Sequence, residues 1–374
     1  MRKVWTRRRA AAPAAKALPL VRRPVPERPQ IHQIELPLPG TASWGAHATQ
    51  VYLIEGDPLT LVDSGIRSEA SQSALAGALD QLGFGLAEIE RVVVTHAHRD
   101  HYGLVETLRR LGADLECCVH VADARTVEQD GRVFRQRIEA TSELLREFGV
   151  APALCSELEG ERLAVLEVDA AEAEPTRVDR RLSGGDRIAT KDFTLRVHHS
   201  PGHSPGHLLL EDEETGTLFT GDQVMGRAVP QAENFYLGLS ADPTDPAGRR
   251  PRFRGLVELR RSLRALRRRH FRRLLPGDAP AIERSERAIR DTLLYYDVRI
   301  QRIDRGLRQL RAMGQDVTAY ELWQALYPDR ERRTAALETR AQLLTVIGAL
   351  DCLEEDGLVE AVRRSDGVLI HHHR

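Results

Sequence analysis

Three imidazoles and a carboxylate fall within six consecutive positions of this chain, in the run His96-Ala97-His98-Arg99-Asp100-His101 that directly follows Arg91-Val92-Val93-Val94 and Thr95. A short β-branched run bounded by polar residues reads as a buried strand. The histidines therefore sit on a loop leaving a sheet, where several side chains can turn into one cavity. Imidazoles and a carboxylate converging with nothing between them would leave polar groups poorly paired, and a divalent cation resolves that conflict. The donors are nitrogen and oxygen without sulfur, which suits zinc first, in one or two ions, with iron or manganese as alternatives.

The rest of the chain supplies the sheet this loop needs. Gln50 to Ile54 and Leu59 to Asp63, joined by Glu55-Gly56-Asp57-Pro58, predict a β-hairpin. Helical spacing covers Glu69 to Leu82, Tyr102 to Leu111 and Val133 to Phe148, with a strand at Cys118 to Val121 and an acidic stretch of undefined form from about 156 to 175. Strands follow at Phe193 to Val197, Leu208 to Leu210 and Thr217 to Thr220, then an amphipathic helix from Leu256 and the closing segment Leu274 to Asp278. Alternating strands and helices with hairpins among them predict an α/β layered architecture.

After Ala281 a long helix runs to about Met313, and the remaining segment has a different logic. Thr318 to Glu321 starts a short helix with the spacing of a capping box if Asp316 or Thr318 caps it, Ala335 to Glu354 is a longer helix, and Leu358 to Val362 and Val368 to His371 flank a Ser365-Asp366-Gly367 turn. The terminal unit thus reads as helix, helix and two-stranded wing. The expected divisions are a disordered basic tail over 1–30, a catalytic domain over 31–282, and a bridging helix with a winged-helix-like domain over 283–374.

The motif T-H-x-H-x-D-H resembles the signature of the metallo-β-lactamase superfamily. The likeness extends to Leu61-Val62-Asp63-Ser64-Gly65, Ser200-Pro201-Gly202-His203-Ser204-Pro205-Gly206-His207 and Phe219-Thr220-Gly221-Asp222. It implies an αββα sandwich with the metals at one edge of the two sheets. It further implies that His96, His98 and His203 bind a first metal, Asp100 and His101 a second, and Asp222 both, while Asp63 orients a ligand histidine. Family members usually close the core with a glycine-histidine-glycine turn. This chain has Gly277-Asp278-Ala279-Pro280 instead, and Asp278 is expected to ligate through oxygen. The layout resembles the branch containing β-lactamase-like protein 2 and hydroxyacylglutathione hydrolase-like proteins, here with a small C-terminal winged-helix-like α+β domain.

Bound divalent ions lower the pKa of water from about 15.7 to roughly 7, so a metal-bound hydroxide is the expected nucleophile and Asp100 the catalytic carboxylate that holds it and moves its proton. The expected reaction is hydrolysis of a thioester, ester or lactone of a small acyl substrate. An endoribonuclease is the alternative, motivated by twelve arginines between Arg249 and Arg273 that could neutralise phosphates of RNA. A metal-binding module without catalysis is the third reading. With 41% hydrophobic and 29% charged residues and a net charge of -1, composition names no partner. Cys117, Cys118, Cys155 and Cys352 show no CxxC spacing, which fits a reducing cytoplasm. No apolar run is long enough for a membrane span, and a homo-oligomer is compatible with all of this. Trp44, His47, Phe235 and Tyr236 are candidates to line a substrate mouth by position alone.

Overall fold

The apolar runs become the strands of two sheets in a computed structural model, which describes residues 30–38, 48–191, 193–226, 228–237, 249–328 and 336–374. The first sheet has the order β1 (Ile31–Pro37), β2 (Ala48–Ile54), β3 (Thr60–Val62), β4 (Arg91–Val93), β5 (Glu116–His120) and β6 (Arg180–Leu182). Its first three strands are antiparallel, and β3 to β6 are parallel. The second sheet runs β13 (Arg273–Pro276), β10 (Thr217–Gly221), β9 (Leu208–Asp212), β8 (Thr194–His199) and β7 (Arg187–Ala189), with only β10 and β13 parallel. Two short hairpins complete the strands: β11 (Asn234–Tyr236) with β12 (Arg252–Arg254), and β14 (Val359–Arg363) with β15 (Leu369–His373).

Three apolar clusters show how the layers stack. Tyr52, Ile54, Val62, Val93 and Cys118 of the first sheet meet Leu195, Val197, Leu208, Leu210 and Phe219 of the second. On the outer face of the first sheet lie α1 (Glu69–Leu82), α2 (Arg99–Tyr102), α3 (Val105–Arg110) and α4 (Val121–Gln129). On the outer face of the second lie α5 (Gly131–Glu147), α6 (Pro152–Val168), α7 (Gly255–Leu266), α8 (Ser285–Ala312), α9 (Ala319–Leu326) and α10 (Ala336–Glu355). The result is the expected αββα sandwich. The terminal elements appear in the expected order, and Leu322, Trp323, Ile347, Leu350 and Leu369 share one cluster with Leu145 of α5, Leu158 of α6 and Leu263 of α7.

Local chemistry explains most boundaries. Ser68 caps α1 by accepting from the Ser71 amide, and Gly83 ends the helix in the left-handed region at φ 86. Thr318 and Glu321 form the predicted capping box of α9.

Two expectations differ. The single helix predicted from Tyr102 to Leu111 is broken into α2 and α3, because the Leu104 amide donates to Gly65 O at 3.2 Å and Ser64 Oγ at 3.3 Å. Gly103 permits the break, since a Cβ there would lie 2.5 Å from Glu172 O and 2.6 Å from Arg67 N. The acidic stretch is largely helical: Cys155, Leu158 and Leu166 bury one face of α6 while Glu157, Glu161 and Glu167 stay exposed. Polar residues on the wet face had masked the period.

No helix among the described residues is long and apolar enough to cross a membrane. All four cysteines are buried and unpaired. Residues 1–29, Trp44 and His47 lie outside the described residues. Phe235 and Tyr236 are buried rather than lining a mouth, because Arg137 covers the first ring and Arg250 the second.

Candidate metal centre

The site forms where strands end. The loop after β4 carries His96 and His98, and α2, which follows at once, carries Asp100 and His101; the loop after β8 carries His203; β10 leads into Asp222 and β13 into Asp278. Carboxyl ends of strands are where α/β sheets open a crevice, and both sheets contribute here. Three overlapping groups of donor atoms result: His96, His98 and His203; His96, His101 and Asp222; and Asp100, His101 and Asp278, each with its atoms within 4.8 Å of one another. All seven residues singled out by the sequence are thus brought together.

Within the first group, His98 Nδ1 lies 2.9 Å from both His96 Nε2 and His203 Nε2. Burial, reinforced by neighbouring imidazoles, lowers the pKa of His96, and burial brings His203 down to about 4. Both rings are therefore neutral and have lone pairs to offer. The far nitrogens are anchored: His203 Nδ1 donates to Gln231 O at 2.8 Å, and His96 Nδ1 lies 3.2 Å from Thr95 Oγ1.

The second group is organised by charge. His101 Nδ1 lies 2.8 Å from Asp63 Oδ2, and its Nε2 lies 3.6 Å from both Asp100 and Asp222. A carboxylate can only accept, so Asp63 fixes the proton on Nδ1 and points Nε2 into the site. Burial opposes charge on His101, but Asp100, Asp63 and Asp222 outweigh it and raise its pKa. Asp278 is pushed up by burial and then by Asp222 and Asp100.

Three crowded carboxylates favour a cation beside them, and two wholly buried atoms, His101 Nε2 and Asp222 Oδ1, have no hydrogen-bond partner. Neutral imidazoles beside an anionic cluster with orphaned donor atoms fit a divalent metal.

Asp63 has the role expected of it, also accepting from the Thr95 amide at 2.7 Å and hydroxyl at 2.8 Å. His207 lies behind Asp222, its Nε2 accepting from the Asp222 amide at 3.1 Å. His371 is buried against Phe148, and His198 pairs with Glu211; neither joins the donor groups.

Sequence reasoning missed Asp123, which accepts from Ala97 N at 3.1 Å, Ser204 Oγ at 2.7 Å and Gly206 N at 3.0 Å, tying the two histidine loops together. It also missed Glu233, which sits 3.8 Å from His98 Nε2 and 3.4 Å from Arg137. Despite burial, Arg137 holds Glu233 down to about 2. A glycine-rich turn between two histidines was the available signal for Asp123, because a Cβ on Gly206 would lie 2.6 Å from the Asp123 side chain.

The arginine run is largely committed within the molecule. Arg249, Arg250, Arg252, Arg254, Arg260, Arg261, Arg264 and Arg269 pair with carboxylates of α5, β9, α7, α8, α10 and the residue just after α10.

The family model of the metallo-beta-lactamase superfamily matches residues 44–278. The chain is 26% identical over 321 residues to a protein named probable metallo-hydrolase YqjP of Bacillus subtilis, covering 82% of this chain and 88% of that one. It is 33% identical over 132 residues to a Bos taurus protein named acyl-coenzyme A thioesterase MBLAC2, covering 35% of this chain and 40% of the relative. A β-lactamase domain protein from Burkholderia ambifaria superposes with a TM-score of 0.69 over 97% of both chains at 20% identity, a likeness of fold.

Proposed function

The chain belongs to the metallo-β-lactamase superfamily of metal-dependent hydrolases, and from that premise we propose that it cleaves thioesters of small acyl substrates, with His96, His98 and His203 holding a zinc ion, Asp100, His101 and Asp278 a second cation, and Asp222 shared by both. The observation that carries this reading is the set of adjoining donor groups, each within 4.8 Å, at the open edge of the sandwich. When bound, the metal activates water at neutral pH and polarises the acyl oxygen.

The side chains divide the remaining work. Asp100 reaches both the donor cluster and solvent, its side chain a fifth exposed (20%), and it takes the proton of the attacking water. Asp63 keeps the proton of His101 on Nδ1. Asp123 holds the two histidine loops in register. A thiol with pKa near 8.5 leaves with little help from an acid, so the reaction suits a site whose carboxylates face cations. The relative named a thioesterase supports the acyl class, and the pairing of eight of the twelve arginines with carboxylates of the chain lessens the motive for RNA.

The test is thiol release from acyl-coenzyme A and acyl-N-acetylcysteamine thioesters by the metal-loaded protein, run beside ester, lactone and single-stranded RNA substrates. Thiol release that disappears in His96→Ala is expected. A loaded protein that cuts RNA and releases no thiol would overturn the proposal.

A further inference from the structure

The two metal positions are built from different chemistry. The first is an all-imidazole group, His96, His98 and His203, whereas Asp100, His101 and Asp278 offer one nitrogen and two carboxylates, with Asp222 beside them. Imidazole suits zinc, while carboxylate oxygen suits manganese and similar hard cations. A histidine at 278 would have made the second position richer in nitrogen.

Asp278 is presented to the site by backbone contacts that do not depend on its side chain. Tyr52 Oη donates to Pro276 O at 2.6 Å, the Gln50 amide to Gly277 O at 2.5 Å, and the Gly277 amide to Gly221 O at 2.8 Å. Gly277 is required by closeness, since a Cβ there would lie 2.6 Å from both Asp222 Oδ1 and His101 Cε1. Asp278 Oδ1 accepts from Thr49 Oγ1 at 3.2 Å, which steers the carboxylate and leaves its second oxygen to offer. A carboxylate kept only to receive that one bond would be set against Asp100 and Asp222 for little return, since like charges at close range repel. His101 Nε2 and Asp222 Oδ1 are buried without a hydrogen-bond partner, and His101 stands in one donor group with Asp100 and Asp278.

We propose that Asp278 makes the second position selective for manganese(II) relative to zinc, so that the protein holds an unlike metal pair, zinc in the histidine position and manganese in the carboxylate position. This rests on the metal assignment made above. The backbone ties allow the loop to survive substitution at 278.

The experiment measures metal binding without substrate. Metal-free protein receives one equivalent of zinc and is then titrated with manganese(II), with free manganese read by electron paramagnetic resonance and totals by elemental analysis; a second equivalent of zinc is added last. Wild type is expected to bind one manganese, at least about tenfold more tightly than Asp278→His. The added zinc should displace that manganese more readily from Asp278→His. Asp278→Ala should keep its first zinc, which reports a folded site, and lose the manganese. Equal manganese affinity and equal displacement in wild type and Asp278→His would overturn the proposal, as would wild-type manganese binding by Asp278→Ala. Failure of all three proteins to retain the first zinc would instead sink the metal assignment.

Discussion

Replacing Asp123 by alanine isolates how one unanticipated carboxylate supports the site. Its side chain is wholly buried and accepts from two backbone amides and a hydroxyl, with Arg137 Nη2 3.9 Å away. The Ser204 hydroxyl can rotate away, but the Ala97 and Gly206 amides cannot. Each buried donor left unsatisfied costs about 1–3 kcal/mol, so the two amides together cost about 2–6 kcal/mol. The vacated space can admit a water that restores part of this loss, which places the expected cost near 3 kcal/mol. At about 1–2 °C per kcal/mol for a chain of this length, Tm should fall by roughly 3–6 °C, read by circular dichroism on the metal-free protein. Ala97 lies between two metal donors and Gly206 follows a third, so apparent metal affinity should drop about 10–100-fold, read by elemental analysis after equilibrium dialysis. An alanine variant with unchanged Tm and unchanged metal content would refute the reasoning, because the loops would then hold their register without the tie.

Three other outcomes follow from the same geometry. Stripping the metal with a chelator should lower Tm, and adding zinc should restore it, since a ligand at a thousandfold its Kd stabilises by about 4 kcal/mol; identical melting with and without metal would contradict a built site. Asp351 of α10 is buried; despite that burial Arg252 and Arg254 depress its pKa, and it also accepts from Asn234 Nδ2 at 3.1 Å. Its stabilising effect is therefore complete above the unfolded value of about 3.9 and is lost as pH falls toward the lower folded value. Asp351→Asn should be less stable than wild type near neutrality by about 3–5 kcal/mol, and the gap should narrow below pH about 4; a gap independent of pH in urea titrations would count against the ion pairing. Fluorescence anisotropy with single-stranded RNA should show no salt-sensitive binding, because eight arginines of the run already have carboxylate partners; tight binding that weakens steeply with salt would show those pairs yield to phosphate.

The strand before His96, the bounds of α1, the capping box at Thr318 and the clustering of His96, His98, Asp100 and His101 were legible along the chain, whereas His203 and Asp222 were expected only from the family resemblance. The legible features depend on local period, local caps or a contiguous motif, and such signals act within one or two turns of backbone. What only the folded molecule decided lies between distant segments. Asp123 joins two loops 26 and 83 residues away, Glu233 stands against His98, and α10 closes over α7 and α6 in one apolar cluster. No period or motif marks such partners, because a buried carboxylate is chosen by the donors that surround it and those are set only when both sheets close. Asp278 belongs to both accounts: its position in the closing turn was readable, but its place beside Asp100 and Asp222 follows from strands β2, β10 and β13 meeting at one edge.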